Sequence, residues 1–341
     1  MKKIRIAQVG TAHDHAKATM ESLLRQPDIF DVVGYCIPNP GFDHVIKEHH
    51  YDFSDLGIKE YTLDELLAMD DLDAVTVECE EENATRFAQM FADKGVHIHL
   101  DKPGSHGSES FEKLARTLES KDLVFHLGYM YRYNPLVQKA MEMVKNGELG
   151  DICYVEAQMS VHHDKKRHEW LRKFKGGMMY FLGGHDVDLV VQFMGRQPDE
   201  VFAFNGTSWQ NGVDVEDNGF AVLKYGNNAS FVRTCSAEYG GFDRRQLVVC
   251  GTKGSIEFHP IEYNAGPGIL KSIAYLTTDK EENGKPFSND VATRLESEPY
   301  DRYDSMMRSF AEYVRGEKKN PYTYDYEIAL FKTFMKCCGA E

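Results

Sequence analysis

Residues 96–104 of this chain read Val96-His97-Ile98-His99-Leu100-Asp101-Lys102-Pro103-Gly104. Apolar residues alternate along the first half of this stretch, which predicts a short buried strand, and Pro103 and Gly104 end that strand. Because open α/β sheets bind their ligands at the carboxyl ends of the strands, we expect Lys102 at a ligand-binding edge. The sequence allows two interpretations of Lys102. It is either a solvated loop lysine, or a proton donor or acceptor whose pKa is lowered by burial or by a nearby cation.

The composition excludes several classes of protein. The chain has 341 residues, of which 42% are apolar and 27% charged, and this suits a folded protein of two domains. A formal net charge of −15 argues against binding to nucleic acid or to anionic membrane surfaces. We find no apolar run of the ~20 residues that span a bilayer, and no signal peptide. The seven cysteines show neither zinc-site nor disulfide spacing. We therefore expect a soluble, reduced protein of the cytoplasm.

The two halves of the chain follow different patterns. Predicted strands and helices alternate over residues 1–128, which is typical of a doubly wound parallel sheet with crossover helices. Among them are strands at Ile4–Val9 and Ala74–Val77 and a capping box at Thr62. Residues 129–341 begin with a helix near Pro135 and continue as β-branched and aromatic runs separated by turns. This half predicts a second α/β domain with a large, open and mostly antiparallel sheet.

A dinucleotide-binding signal follows the first strand. The loop reads Gly10-Thr11-Ala12-His13-Asp14-His15, where the full fingerprint would read G-x-G-x-x-G. Ala12 still permits close approach of the backbone to a pyrophosphate, whereas His15 fits poorly where a helix packs tightly on the sheet. The start of the next helix would offer amides and a positive dipole to a phosphate. The loop histidines could assist there or lie on a solvated first turn.

The end of the second strand leaves the choice between NAD and NADP open. An acidic residue usually grips the ribose of NAD at this position. This chain has Ile37 there, followed closely by Asn39, and no arginine that could take the extra phosphate of NADP.

With these features, the chain resembles the glucose–fructose oxidoreductase/inositol dehydrogenase/MocA (Gfo/Idh/MocA) family over nearly its whole length. Asp101-Lys102-Pro103 is similar to the family's Glu-Lys-Pro, and residues 128–135 are similar to its arginine segment. His185 and Asp188 follow glycines as in its glycine-rich helix entry. Further matches are Gly147-Glu148-Leu149-Gly150, Glu216-Asp217 and Gly251-Thr252-Lys253-Gly254-Ser255.

The resemblance implies an amino-terminal Rossmann domain and an NAD- or NADP-dependent oxidoreductase. Such enzymes move a hydride between the nicotinamide and a carbinol carbon of a sugar, polyol or glycoside, and they form homodimers or homotetramers. The resemblance also implies the residues of the site. Cofactor-binding residues would be Gly10, Thr11, Ala12, His13, Asn39, Cys79, Asp101, Lys102 and Arg132, and substrate-binding residues would be Lys102, Tyr131, Trp170 and His185.

Catalysis would rest on Lys102, His185 and Asp188. By resemblance, Lys102 hydrogen-bonds the reacting hydroxyl and His185 acts as an acid or base beside it. The chain departs from the family four residues before His185, where Phe181 stands in place of the common aspartate. Asp188, three residues after His185, lies on the same helical face and could compensate.

Two charged clusters allow further interpretations. Glu78, Glu80, Glu81 and Glu82 could include a residue that stabilises the cationic nicotinamide, but a solvated loop before a helix is the preferred interpretation. The segment from His162 to Lys175 holds three histidines at no recognisable metal-ligand spacing, so we expect no metal. It also carries six lysines and arginines against two acids, which suggests either a basic surface loop or a receptor for an anionic sugar.

Two alternatives to a dehydrogenase are consistent with the sequence. One is a glycoside-processing enzyme that oxidises a ring carbon transiently and then eliminates. The other is a non-catalytic protein that senses a nucleotide or sugar, which Phe181 and the incomplete fingerprint would favour. Retention of Lys102, His185 and Asp188 opposes this second alternative.

Overall fold

The computed structural model describes residues 2–39, 51–266, 268–278 and 292–341. The chain divides into two compact units, Met1–Tyr129 with Tyr303–Phe331, and Met130–Arg302 with Lys332–Glu341. The sequence predicted a domain boundary after residue 128, and in the structure the first segment of the first unit ends one residue later, at Tyr129. It assigned residues 303–331 to the second domain, whereas the structure places them in the first unit.

The first unit is built on a six-stranded parallel sheet. Its strands run in the order β3-β2-β1-β4-β5-β6, which is the order of a dinucleotide-binding doubly wound fold. They are β1 (Ile4–Val9), β2 (Phe30–Cys36), β3 (Glu60–Tyr61), β4 (Ala74–Val77), β5 (His97–Leu100) and β6 (Phe125–Leu127). The predicted Rossmann architecture is confirmed.

Four α-helices lie between these strands in the described part of the chain. They are α1 (Ala16–Arg25), α2 (Leu63–Leu67), α3 (Ala84–Asp93) and α4 (Ser108–Ser120). The predicted capping box opens α2, because Glu65 N donates to Thr62 Oγ1 at 3.2 Å and Thr62 N donates to Glu65 Oε2 at 2.7 Å.

The second unit carries an eight-stranded sheet and a small hairpin. The large sheet has the order β16-β15-β12-β11-β7-β10-β9-β8, and among its neighbouring pairs β7 and β10 run parallel while the rest are antiparallel. The hairpin pairs β13 with β14. The strands are β7 (Ile152–Ser160), β8 (Glu200–Gly206), β9 (Asn218–Tyr225), β10 (Asn228–Cys235), β11 (Arg245–Gly251), β12 (Gly254–Phe258), β13 (Tyr263–Gly266), β14 (Ile269–Lys271), β15 (Ile273–Thr278) and β16 (Thr293–Glu296). The predicted open, mostly antiparallel sheet is confirmed.

The remaining helices are α5 (Pro135–Lys145), α6 (Lys165–Leu171), α7 (Gly184–Met194), α8 (Arg302–Val314) and α9 (Tyr324–Cys337). Helix α7 packs on β7 and β10 and so covers one side of the large sheet. Helix α8 joins the first unit, where the ring of Phe310 lies 5.2 Å from that of His126. Within the described ranges, no helix combines the length and apolar character needed to cross a membrane.

Candidate active site

The carboxyl ends of β1, β4 and β5 meet at one edge of the parallel sheet. Val9 pairs with Val77, and Val77 pairs with Leu100, so these three strands end in register. The residues that follow them, Gly10, Glu78 and Asp101, therefore lie at the same edge. This is the position that the sequence predicted for ligand binding.

Lys102 is buried at this edge, with 2% of its surface exposed. Its backbone N–H donates to Asp101 Oδ1 at 2.6 Å, and its carbonyl oxygen lies 3.0 Å from His13 Nε2. The burial argues against the solvated loop lysine and supports the interpretation as a chemically active group.

Asp101 is the centre of a buried charged cluster. Its Oδ2 atom lies 3.2 Å from His13 Nδ1 and 2.9 Å from His15 Nδ1. Gly128 makes room for it, because a Cβ at that position would collide with the Asp101 carboxylate. Burial alone would raise the pKa of Asp101, yet the charges and hydrogen bonds of the two histidines hold that pKa well below its usual value.

The two histidines of the cluster titrate in opposite directions. Burial alone would lower the pKa of His13, but the charges of Asp101 and Glu78 and the contact with the Asp101 carboxylate raise it well above its usual value. Burial lowers the pKa of His15 to about 4, since the attraction of Asp101 is opposed by the charges of His13 and Lys102. The cluster therefore holds a protonated His13 and a neutral His15 at neutral pH.

The acids after β4 are buried, so the preferred interpretation of a solvated loop was wrong. Glu78, Glu80 and Glu81 are 0%, 3% and 6% exposed. Burial and the charge of Asp101 raise the pKa of Glu78 to about 8, and burial raises that of Glu80 to about 7. The segment is buried because it folds against the glycine loop, where Ala12 N and His13 N both donate to Glu78 O at 3.1 Å.

The glycine loop fits a cofactor phosphate in part. Gly10 has φ +97°, and a Cβ there would lie 2.7 Å from Cys79 N, so glycine is required. The predicted amide donors of Ala12 and His13 are already bonded to Glu78. Thr11 Oγ1 is buried and has no hydrogen-bond partner among the described residues. We identify this hydroxyl as the donor on the loop that suits a phosphate oxygen.

Two other predicted cofactor residues lie near this edge of the first unit. Cys79 is buried, and its thiol donates to Val9 O at 3.1 Å. Asn39 is half-buried, three residues beyond the end of β2.

Arg132, predicted to bind the cofactor, forms a buried ion pair in the second unit. Its Nε and Nη2 atoms donate to Asp188 Oδ1 at 3.0 Å and 2.8 Å, and both side chains are 1% exposed. Gln192 Nε2 also donates to Asp188 Oδ2, at 2.7 Å. The sequence had expected Asp188 to compensate beside His185, and it did not predict this ion pair.

His185 lies in the first turn of α7, directly after a turn of π-helix at Met179–Gly183. It is 2% exposed, and its ring is perpendicular to that of Tyr131 at a centroid distance of 5.1 Å. π-Helical turns are frequent at functional sites. The structure thus brings two predicted substrate-binding residues together.

A buried glutamate that the sequence did not single out holds Tyr131. The Tyr131 hydroxyl donates to Glu262 Oε1 at 2.7 Å and accepts from Arg245 Nη1 at 2.8 Å. Arg302 Nε donates to Glu262 Oε2 at 2.9 Å. Burial alone would raise the pKa of Glu262, but these arginines hold it below its usual value. A lone glutamate between an isoleucine and a tyrosine carries no sequence signal, because its partners are distant along the chain.

Trp170 and Phe181 belong to one aromatic cluster. Trp170 is 2% exposed, and its ring lies 4.9 Å from Phe174 and 5.6 Å from Phe181. Phe181, which replaces the family's aspartate, also lies 5.6 Å from the ring of His163. The position is therefore filled by apolar packing that includes the predicted substrate residue Trp170.

The comparisons with known proteins agree with this architecture. Residues 137–257 match the family model for the GFO/IDH/MocA C-terminal domain. D-xylose 1-dehydrogenase (NADP(+)) 2 of Haloferax volcanii is 25% identical over 254 residues, which cover 74% of this chain and 71% of that protein. The 2,7-anhydro-N-acetylneuraminate hydratase of Mediterraneibacter gnavus is 23% identical over 266 residues, covering 75% of this chain and 67% of that protein.

A solved structure shares the fold over the whole chain. GenD2 from gentamicin A biosynthesis, in complex with NAD, superposes with a TM-score of 0.77 at 20% identity and covers 100% of this chain and 94% of that one. The shared fold, the matched domain and the relatives together confirm that the chain resembles Gfo/Idh/MocA oxidoreductases, with the family model matching residues 137–257.

Proposed function

We propose that this protein is an NAD(P)-dependent oxidoreductase that transfers a hydride between a nicotinamide and a carbinol carbon of a sugar, polyol or glycoside. The observation that carries the proposal is Lys102, buried at the carboxyl edge of a parallel sheet in dinucleotide-binding order. The sugar dehydrogenase among the relatives supports this function over the sensing alternative. One relative is a dehydrogenase named for NADP(+), and one structural neighbour was solved in complex with NAD, so we propose either cofactor for this chain.

The cofactor, when bound, supplies or accepts the hydride. On this chain, the Thr11 hydroxyl would donate to a phosphate oxygen of the cofactor, and Gly10 lets the loop turn where a side chain would collide with Cys79. Lys102 binds the reacting hydroxyl and takes part in the transfer of its proton, from a position buried at the carboxyl edge of the sheet.

We assign the second acid–base role to His185. Its ring packs against Tyr131, whose hydroxyl is held by Glu262 and Arg245. Tyr131 therefore acts as a positioning residue that fixes the imidazole. An imidazole has two ring nitrogens through which it can donate or accept a proton.

We also propose that a second copy of the chain covers the open side of the large sheet. Phe202 and Phe204 on β8 are 46% and 63% exposed. The ring of Phe204 lies 6.5 Å from Phe220, and that of Phe220 lies 5.3 Å from Phe231, so an aromatic row crosses three strands. Self-association through this row would remove it from water and give a homodimer or homotetramer.

The state of the cysteines supports a reducing compartment. All seven are free thiols, and five of them are buried. We therefore keep the cytoplasm as the proposed location.

Cofactor binding and turnover by the purified full chain test the proposed reaction. Calorimetric titrations with NAD, NADP and their reduced forms should show saturable binding of at least one. Nicotinamide absorbance should then change with at least one member of a panel of neutral and acidic sugars, polyols and glycosides. The acidic members also test the basic segment from His162 to Lys175. Failure of all four cofactor forms to bind would overturn the proposal.

A further inference from the structure

We propose that His13, His15, Asp101 and Glu78 form a binding site for a divalent first-row transition-metal ion. All four residues belong to the first unit and follow strand ends at one edge of its sheet. The inference does not depend on hydride transfer, which requires no metal. The sequence had predicted no metal, because the potential ligands are far apart along the chain.

The spacing of the side-chain atoms suits a metal. One ligand atom from each of His13, His15 and Asp101 can be chosen so that all lie within 4.8 Å of one another. His15 Nδ1 lies 2.9 Å from Asp101 Oδ2, and His13 Nδ1 lies 3.2 Å from the same oxygen. Ligand atoms about 2.1 Å from one metal ion are themselves roughly 3.0–3.4 Å apart. The side chains therefore need little movement to share an ion.

A backbone contact orients His13 as a ligand. His13 Nε2 lies 3.0 Å from Lys102 O, and since a carbonyl oxygen only accepts, Nε2 carries the hydrogen. In the neutral ring, Nδ1 then holds the lone pair and faces Asp101. Metal-binding histidines usually donate their other N–H to such a partner. His15 N lies 3.2 Å from His13 Nδ1, a contact that is a hydrogen bond only in the neutral ring and that the metal bond would replace.

The side chain of Glu78 supplies an independent indication that this site binds a cation. Its side chain is 0% exposed, and neither carboxylate oxygen has a hydrogen-bond partner among the described residues. Its Oε2 atom lies 3.5 Å from His13 Nδ1. Burial of a carboxylate without such partners is unfavourable in free energy unless a proton or a cation neutralises its charge. We assign Glu78 as the fourth ligand.

The charges around the site favour a cation. Glu81 Oε1 adds a third carboxylate, 3.9 Å from His13 Nε2, while the cationic Lys102 nearby opposes binding in part. Two imidazole nitrogens with carboxylate oxygens are ligands that Zn²⁺, Fe²⁺ and similar ions accept. The thiol of Cys79 is occupied by Val9 O and is not part of the set.

Metal titration of the chelator-treated full chain tests the inference. We expect one equivalent of Zn²⁺ to bind per chain by calorimetry, and Co²⁺ to give visible absorption bands at the same stoichiometry. His15→Ala and Glu78→Gln should each weaken Zn²⁺ binding at least tenfold. His259→Ala, which removes a histidine with a 49% exposed side chain elsewhere, is the matched control and should leave binding unchanged.

Two results would contradict the proposed metal site. One is the lack of saturable Zn²⁺ binding by the wild-type chain. The other is Zn²⁺ binding within threefold of wild type in the folded Glu78→Gln variant. Glutamine keeps the size of the side chain, so this variant still tests the site if His15→Ala fails to fold. Neither readout uses enzymatic turnover, so a failure here leaves the proposed reaction separately testable.

Discussion

His15 Nδ1 lies 2.9 Å from Oδ2 of Asp101, a residue 86 positions further along the chain. The contact joins the residue before α1 to the residue after β5. It brings the glycine loop and the lysine motif, two features recognised separately in the sequence, to one edge of the sheet. The proposed cofactor loop, proton-transfer residue and metal site are therefore neighbours in a single unit.

Replacement of Lys102 by alanine tests the proton-transfer role. General acid–base groups typically contribute about 10²–10⁴-fold to rate, so turnover should fall more than tenfold on a confirmed substrate. Cofactor affinity, measured by fluorescence titration, should stay nearly intact. Lys113→Ala alters an exposed lysine of α4 and serves as control. Near-normal turnover in Lys102→Ala would show that the assignment is wrong.

Replacement of Thr11 by valine tests the cofactor loop. Valine keeps the shape of the side chain and removes the hydroxyl, so cofactor binding should weaken. A hydrogen bond to a charged group is worth about 1.5–3 kcal/mol, which corresponds to roughly 10–150-fold in the dissociation constant. Thr11→Ser restores a hydroxyl and should recover most of the affinity. Equal affinity in the valine variant and wild type would exclude a phosphate contact from Thr11.

Breaking the ion pair between Arg132 and Asp188 should destabilise the protein. Removal of one member of a buried pair leaves an uncompensated charge, so Asp188→Ala should lower the free energy of unfolding by about 3–5 kcal/mol. Lys224→Ala breaks an exposed pair with Glu200 and should cost no more than about 1 kcal/mol in the same urea titration.

The conservative variant Asp188→Asn separates this structural role from catalysis. Because Asp188 is held by Arg132 and Gln192, we expect Asp188→Asn to lower the free energy of unfolding and to leave the pH dependence of turnover unchanged. A clear shift of the pH–rate profile at unchanged stability would instead support the role predicted for Asp188 beside His185.

The raised pKa of Glu78 predicts a pH dependence of stability in the metal-free protein. Its folded-state pKa of about 8 lies above the value in the unfolded chain, so the native state binds more protons between these values. The stability contributed by the protonated carboxyl is therefore lost as the pH rises through about 8. The raised pKa of His13 acts in the same direction, while the lowered values of His15 and Asp101 act oppositely at lower pH.

Glu78→Gln isolates this contribution, because glutamine stays neutral at every pH. We expect the variant to lose less stability than wild type between about pH 6 and pH 8 in the presence of chelator. Urea midpoints at the two pH values provide the measurement. Identical losses in the two proteins would contradict the raised pKa.

Phe204→Glu should disrupt the proposed self-association. A charge on the aromatic row would be buried in the interface, so the assembly should dissociate to a 38.9 kDa chain in light scattering coupled to size-exclusion chromatography. Ile269→Glu is the control, because Ile269 is 42% exposed on the small hairpin outside the large sheet. A wild-type protein that is already monomeric at micromolar concentration would overturn the proposal.

Local sequence patterns predicted most of the regular elements. The strand at Ala74–Val77 has the predicted bounds, the helix predicted near Pro135 begins at that residue, and the Thr62 capping box forms both of its hydrogen bonds. These features depend on residues within a few positions of one another, so their periodicity and caps can be recognised in the amino-acid sequence. The short strand β3 and the strands from β13 onward gave weaker signals, since most of them have only two to four residues.

The environment of the charged residues could not be predicted in the same way. Glu78 and Glu81 looked like a solvated acidic loop, yet packing under the glycine loop buries both. Asp188 was matched with its sequence neighbour His185, whereas the bidentate partner in the structure is Arg132, 56 positions away. Glu262 gave no signal, although it holds Tyr131 beside His185.

The sequence by itself determined the alternation of strands and helices, the lysine motif and the resemblance to the Gfo/Idh/MocA family. The tertiary structure alone decided which titratable groups face one another, and hence whether His13, Glu78 and Asp101 are charged. The physical reason is that secondary structure reflects local backbone and side-chain preferences, whereas a pKa depends on burial and on charges within a few ångströms. Those neighbours come from strands that are adjacent in the sheet but distant along the chain.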